Sequence, residues 1–190
     1  MQILKDKILK DGKAIGTDIL KVDSFLNHQI DVKLMTEIGE EFKKRLYKEG
    51  VNKILTVEAS GITVAFAAAQ AMGNLPVVFA KKAAPKTMIT GAYTAEIISF
   101  TKGTQTIIRV AKEFLKPGDK VLIIDDFLAS GEAVLGLLNI VKQSGAECLG
   151  IGAVIEKEYQ GGSAKLRAMG YNVESLAIIS SIEDGKINFK

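Results

Sequence analysis

Two adjacent carboxylates, Asp125 and Asp126, follow four apolar residues in the stretch VLIIDDFLASGEA at 121–133. Burying like charges without partners costs on the order of several kcal/mol each, so a ligand must meet them there. The helical pattern AVLGLLNIVKQ begins just after Gly131, which puts the small residues of LASGE between a strand end and a helix start. Unpaired N–H groups at a helix start bind anions, and small residues let a phosphate approach them closely. The stretch therefore predicts an anion site beside an acidic pair.

The acidic pair cannot bind the anion itself, so it has to hold a different part of the same ligand. A ribose 5-phosphate fits, because carboxylates accept hydrogen bonds from the 2- and 3-hydroxyls while the loop takes the phosphate. The alternative is that Asp125 and Asp126 only cap a helix and close a turn.

Alternating apolar runs and helical patterns predict the elements that position this stretch. The runs are continuous, as in strands buried on both faces of a parallel sheet: KILTV at 53–57, PVVFA at 76–80, VLIID at 121–125, CLGIGAVI at 148–155 and ESLAII at 174–179. Between them lie helical patterns at 34–46, 62–72 and 133–143, each followed by a glycine. We therefore predict one doubly wound α/β domain over residues 1–190, with a central, mostly parallel sheet flanked by helices.

The segment 92–112 breaks this alternation. Two β-prone runs around TKGTQ predict a hairpin, and the basic KKAAPKTMITG at 81–91 predicts an exposed, mobile loop that could close over the site as a lid.

Composition and charge exclude several classes of protein. The chain is 47% hydrophobic and 25% charged with a net charge of +3, which favours neither a disordered protein nor a nucleic-acid binder. The amino terminus has no continuous apolar core and is not a secretory signal, and we expect no membrane partner. The single cysteine, Cys148, is expected in the core. We expect a cytoplasmic protein.

The stretch VLIIDDFLASGEA resembles the phosphoribosyl-diphosphate (PRPP) signature of the type I phosphoribosyltransferases. The segment LKVDSFLNHQID at 20–31 is similar to the base-recognition segment of the bacterial xanthine-specific members, and VEASG, VVFAKK and GIGAVIEK extend the resemblance along the chain. The resemblance implies transfer of a 5-phosphoribosyl group from PRPP to N9 of xanthine, giving xanthosine 5-monophosphate (XMP) and pyrophosphate. It also implies Mg²⁺ held through PRPP and not directly by the protein, a homodimer, and a small hood from about 1–35 and 157–190 with a flexible loop or hairpin.

The same resemblance implies roles for particular residues. Asp125 and Asp126 would hold the ribose hydroxyls as the catalytic pair. The 5-phosphate would lie on Ala129, Ser130, Gly131, Glu132 and Ala133. The pyrophosphate would meet Ala59, Ser60 and Gly61 together with Lys81 and Lys82. Xanthine would contact Leu20, Asn27 and Lys157.

The sequence departs from many relatives in the phosphate loop. Where they carry Thr-Gly-Gly-Thr it has Ser130, Gly131, Glu132 and Ala133, so we expect the Glu132 side chain to point away from the phosphate. Ala129 replaces an acid of the hypoxanthine-guanine relatives, so the loop offers no general base. Two alternatives remain: the same reaction with guanine, hypoxanthine or adenine, and a non-catalytic PRPP-sensing regulator.

Overall fold

The computed structural model describes residues 1–83, 91–99 and 104–190. The predicted lid loop and the turn of the predicted hairpin fall largely outside these residues.

The described helices are α1 (Gln2–Asp11), α2 (Val32–Leu46), α3 (Gly61–Ala71), α4 (Glu132–Ser144) and α5 (Gly162–Ala168). The first strands are β1 (Lys13–Ile15), β2 (Ile19–Lys21), β3 (Lys53–Val57), β4 (Val77–Ala80), β5 (Ala92–Ser99) and β6 (Thr104–Ala111). The others are β7 (Lys120–Leu128), β8 (Glu147–Lys157), β9 (Val173–Glu183) and β10 (Lys186–Phe189). A π-helical turn (Asp23–Asn27) follows β2, and a 3₁₀ turn (Glu158–Gln160) follows β8.

The central sheet has six strands in the order β10-β9-β8-β7-β3-β4. All neighbours are parallel except β10, which returns antiparallel to β9. Each predicted apolar run lies inside one of the parallel strands, and the predicted helical patterns coincide with α2, α3 and α4. The predicted α/β class and mostly parallel sheet are therefore confirmed.

Hydrophobic clusters cover both faces of this sheet, which explains the continuous apolar runs. On one face Ile54, Leu122 and Ile124 pack with α2 and α3. On the other face Leu55 and Ile123 pack with α4. A strand covered on both sides has no solvent face to fill with polar residues.

The predicted hairpin is present as β5 and β6, which pair antiparallel from Ala92↔Ala111 to Ser99↔Thr104. A short bridge connects it to the end of β4, where the backbone N–H groups of Lys81 and Arg109 donate to each other's carbonyls at 2.8 and 2.9 Å. Its buried side chains, Ala95 and Ile108, pack with α4.

The amino-terminal segment packs against the carboxyl-terminal one. The Met1 amino group donates to the Leu176 carbonyl at 2.6 Å, and the Lys5 ammonium donates to the Lys190 carbonyl at 2.6 Å. Within 157–190, the range predicted to contribute to the hood, β9 and β10 lie in the central sheet.

Candidate functional site

Two loops that each join a strand to a helix lie at the same edge of the central sheet. The β3–α3 loop (residues 58–61) follows β3, and the β7–α4 loop (residues 129–133) follows β7. Because β3 and β7 are parallel neighbours, their carboxyl ends and both loops meet at this edge. Ligands of open α/β sheets bind at such an edge.

The β7–α4 loop turns sharply into the start of a helix. Gly131 has a φ of 85°, a left-handed conformation that glycine adopts without strain, and it turns the chain into α4. Among the residues that the structure describes, no side chain caps the amino terminus of α4. The first-turn N–H groups therefore face the site with no partner inside the helix.

The Glu132 side chain lies toward α5. Its Oε1 is 3.7 Å from the Lys165 ammonium, so its negative charge has a cationic partner on a neighbouring helix.

The acidic pair at the end of β7 is buried. Asp125 and Asp126 are 5% and 7% exposed, and Asp125 Oδ1 accepts a hydrogen bond from the Asp126 N–H at 2.9 Å. Burial, and after it the negative charge of Asp126, raises the pKa of Asp125 well above its ordinary value; Lys82 opposes this shift. The carboxylate oxygens of the pair can accept further hydrogen bonds, which suits neutral hydroxyl donors or a cationic ligand.

The β3–α3 loop touches this acidic pair directly. A Cβ atom on Gly61 would lie 2.5 Å from Asp125 Oδ1 and 2.4 Å from Thr56 Oγ1, so only glycine fits here. The Thr56 hydroxyl is fully buried and has no hydrogen-bond partner among the described residues. Sequence reasoning missed Thr56, for which the only signal was one hydroxyl near the end of an apolar strand.

The predicted basic pair follows β4 and approaches the same edge. Its backbone is held at both residues, since Lys81 bridges to Arg109 and the Lys82 N–H donates to Glu58 Oε1 at 2.5 Å. Glu58 directly precedes Ala59, so the pair is tied to the β3–α3 loop.

Of the three residues predicted to contact a base, Lys157 has the most defined environment. Its ammonium donates to the Asp18 carbonyl at 2.5 Å and lies 5.9 Å from the centre of the Phe127 ring. Leu20 is buried in the core with Phe25 and Leu26, whereas Asn27 is exposed at the end of the π-helical turn.

The sequence interpretation also missed Asp18, Phe127 and Gln160. Asp18 lies in the β1–β2 turn, where its carboxylate accepts a hydrogen bond from the Gln160 amide. Phe127 follows the acidic pair, and its half-buried ring beside Lys157 offers a flat apolar surface. An aromatic residue next to the acidic pair was a usable signal, but nothing in the local sequence connects Asp18 with Gln160.

Three further observations bear on metals, thiols and membranes. No group of three or more His, Cys, Asp or Glu side chains that could hold a metal occurs within 1–83, 91–99 and 104–190. Burial raises the pKa of the Cys148 thiol to about 11, so it is protonated at neutral pH. No helix in the described part of the chain is long and apolar enough to cross a membrane.

Comparison with known proteins decides the family. The model of the phosphoribosyl transferase domain matches residues 21–180. The chain belongs to the phosphoribosyltransferase family. Two relatives named xanthine phosphoribosyltransferase match over full length: that of Ruminiclostridium cellulolyticum is 55% identical over 100% of this chain and 99% of its own. That of Clostridium novyi is 53% identical over 100% of both chains.

Solved phosphoribosyltransferases share the fold. An adenine phosphoribosyltransferase of Giardia lamblia, crystallised with 9-deazaadenine, superimposes with a TM-score of 0.77 at 18% identity, over 92% of this chain and 96% of its own. The adenine phosphoribosyltransferase of Rhodothermus marinus superimposes with a TM-score of 0.73 at 18% identity, over 94% of this chain and 100% of its own. At these identities the likeness establishes the phosphoribosyltransferase fold, which agrees with the fold expected from the sequence.

The buried acidic pair generates a prediction about stability. The pKa of Asp125 is raised in the folded state, so ionisation of this carboxyl destabilises the folded protein. The destabilisation is present at high pH and disappears as the pH falls toward the ordinary pKa of 3.8. We expect Asp125→Asn to raise the free energy of unfolding at pH 8 by about 1–3 kcal/mol, and we expect this gain to shrink at acid pH. Urea denaturation between pH 4.5 and 8 measures it.

Asp119→Asn is the matched control with the opposite sign. Burial opposes ionisation of Asp119, but hydrogen bonds from the Lys53 ammonium and the Lys116 N–H outweigh it and lower the pKa of Asp119. This variant should lose stability at pH 8. An Asp125→Asn protein that is no more stable than the parent at pH 8 would contradict the assigned cost.

Proposed function

We propose that this chain transfers the 5-phosphoribosyl group of PRPP to N9 of xanthine in purine salvage, yielding XMP and pyrophosphate. One observation carries the proposal: a buried acidic pair lies between two loops that both suit phosphates, in a chain more than half identical, over full length, to proteins named xanthine phosphoribosyltransferase. We further propose that residues 1–190 work as one domain.

The donor would lie along the shared sheet edge. Its 5-phosphate would accept hydrogen bonds from N–H groups of the β7–α4 loop, from Ala129 to Ala133, where the partial positive charge of α4 favours a dianion. The ribose 2- and 3-hydroxyls would donate to Asp125 and Asp126. This arrangement gives the buried carboxylates the polar partners that burial demands.

The leaving pyrophosphate would occupy the other loop. Ala59, Ser60 and Gly61 lie at the start of α3 and offer backbone donors, and Lys81 and Lys82 supply positive charge. The fully buried Thr56 hydroxyl lies next to Gly61, where a Cβ atom would be only 2.4 Å from it. Charge neutralisation at the leaving group lowers the barrier to breaking the bond between C1 and the pyrophosphate oxygen.

The chemistry needs orientation and electrostatics and no covalent intermediate with the protein. As the bond from C1 to pyrophosphate breaks, positive charge develops on the ribose ring, and N9 of the base forms the new bond. Asp125 and Asp126 would lie beside the ribose, where their negative charge would stabilise that ring. The N9 proton would pass to solvent, because the Ala129 side chain cannot act as a general base and xanthine ionises readily.

Magnesium fits this site as a partner of the donor. The described residues present no three-ligand cluster, and Mg²⁺ would be held through the donor, with the Asp125–Asp126 pair adding negative charge beside it. When bound, the ion would neutralise charge on the pyrophosphate.

The base would lie between the hood and the carboxyl end of β7. Phe127 offers an apolar face beside it, and Lys157 offers a cation to the oxygen-rich xanthine edge. Asn27, exposed on the π-helical turn, can donate and accept toward the same edge, with Leu20 packed behind it. Lys157 now donates to the Asp18 carbonyl and would exchange that acceptor for a base oxygen.

We also propose a cytoplasmic homodimer. β4 is an edge strand of the central sheet, and a cavity of about 630 Å³ beside it is lined by Phe79 and Phe114, which are 36% and 56% exposed. A second copy at this edge would cover both rings and would bring Lys81 near the partner's site. A single half-buried cysteine fits a reducing compartment.

The proposed reaction is tested by a panel of bases. With Mg²⁺ and PRPP, the purified protein should release pyrophosphate fastest with xanthine, compared side by side with guanine, hypoxanthine and adenine. Asp126→Asn is the control and should lose PRPP use far more than stability. PRPP binding without turnover of any purine would instead favour a regulator, and sedimentation of the same sample as a monomer would contradict the dimer.

Lys157 generates a prediction about specificity. We expect Lys157→Met, which keeps the stem and removes the charge, to lower the ratio of kcat/KM for xanthine over hypoxanthine by about tenfold, since a hydrogen bond to a charged group contributes about 1.5–3 kcal/mol. Lys165→Met, on a largely exposed lysine of α5, is the matched control. An unchanged ratio in Lys157→Met would show that Lys157 does not read the base.

A further inference from the structure

The segment between β8 and α5, residues 157–162, reaches both parts of the proposed site. At its start, Lys157 and Gln160 contact Asp18 of the β1–β2 turn. At its end, the Gly162 N–H donates to the Ala129 carbonyl of the β7–α4 loop at 3.1 Å. We call this segment the β8–α5 connection.

Gly162 lies against the backbone of the β7–α4 loop with no space for a side chain. A Cβ atom there would be 2.3 Å from the Ala129 carbonyl oxygen and 2.7 Å from the Gly131 nitrogen. These are backbone atoms, which cannot rotate aside as a side chain can. Gly162 is not among the glycines with positive φ, so the position requires glycine for space and not for conformation.

A buried carboxylate holds the β8–α5 connection in place. Glu156, 1% exposed, accepts hydrogen bonds from the hydroxyls of Ser163 and of Ser175 on β9, the latter at 2.5 Å. Arg167 approaches the same carboxylate at 3.9 Å. Because Glu156 precedes the connection and Ser163 follows it, their hydrogen bond closes the connection into a ring.

A second contact reinforces the first. Lys165 of α5 lies 3.7 Å from Glu132, the first residue of α4, so α5 meets the β7–α4 loop at both Ala129 and Glu132. A movement of α5 would therefore displace the N–H groups that the loop presents to an anion. The chemistry proposed above uses neither Glu156 nor Gly162.

We propose that Gly162 is a positioning residue for the β7–α4 loop, and that Glu156 holds Gly162 there through Ser163 and Ser175. The inference rests on the proposed function in that the anion on the loop is the 5-phosphate of the donor. Affinity for that phosphate depends on the spacing of the N–H groups that the loop presents, and the contact with Gly162 sets that spacing.

Gly162→Ala tests the proposal, with ribose 5-phosphate as the probe. We expect its Kd, measured by calorimetry, to rise at least tenfold. The KM for PRPP should rise similarly, while kcat at saturating PRPP stays within about twofold and the xanthine-to-hypoxanthine ratio is unchanged. Ser163→Ala removes one hydroxyl from Glu156, and we expect a severalfold rise in the same Kd.

Gly39→Ala is the matched control, because its Cβ would lie 2.4 Å from the Ala67 carbonyl oxygen, in the packing of α2 on α3. It should lose stability and keep its affinity for ribose 5-phosphate. A Gly162→Ala protein that loses stability but binds ribose 5-phosphate as the parent does would overturn the proposal. If Gly162→Ala does not fold, an unchanged Kd in Ser163→Ala would overturn it. Because the probe contains no base, failure of xanthine turnover in the parent is a separate result.

Discussion

The buried carboxylate of Asp125 is the constraint around which the site is arranged. It lies at the end of an apolar strand, next to a second carboxylate, and its Oδ1 is close enough to Gly61 to exclude any side chain there. Such a charge is costly unless it receives hydrogen bonds, and the protein supplies one of them, from the Asp126 N–H. A ligand with hydroxyl groups would donate the remaining hydrogen bonds to this carboxylate. Its binding would therefore be favoured at the group that has the fewest hydrogen bonds for its charge.

The central sheet brings the acidic pair together with the two loops that we propose as phosphate sites. Parallel β3 and β7 bring two helix starts to one edge, one on either side of the acidic pair. Close backbone contacts fix the loops: Gly61 against Asp125 on one side, and Gly162 against Ala129 on the other. We propose that both loops bind phosphates through backbone N–H groups, a mode of binding in which the loop residues can be small and the geometry depends on the neighbouring glycines. A phosphoribosyltransferase that works by orientation and electrostatics needs this rigidity.

The parts of the molecule that the sequence predicted are those with a local signature. Continuous apolar runs marked the five parallel strands, and four-residue spacing marked α2, from Leu34 to Leu46. The anion-binding role of the β7–α4 loop stays a prediction, made from small residues between a strand and a helix. Roles for Ala59–Gly61, Lys81 and Lys82 came from resemblance alone, since nothing in VEASG or VVFAKK specifies a pyrophosphate.

Contacts distant in sequence had no such signature. The approach of Gly162 to Ala129, the hydrogen bond of Gln160 to Asp18 and the serine partners of Glu156 depend on how β8, β9 and α5 pack. The Thr56 hydroxyl, which has no hydrogen-bond partner among the described residues, lies beside Gly61 only because of how β3 and α3 pack. The β1–β2 pair and the π-helical turn were also missed, because three-residue strands and a five-residue turn are too short for periodicity to detect.

The most direct measurement is a crystal structure of the protein with PRPP and Mg²⁺. We expect the 5-phosphate oxygens within about 2.7–3.2 Å of backbone nitrogens in the β7–α4 loop, with the ribose hydroxyls on Asp125 and Asp126 and the pyrophosphate at Ala59–Gly61. A 5-phosphate bound elsewhere, or ribose hydroxyls that do not contact the acidic pair, would contradict the central claim that the buried carboxylates hold the donor between the two loops.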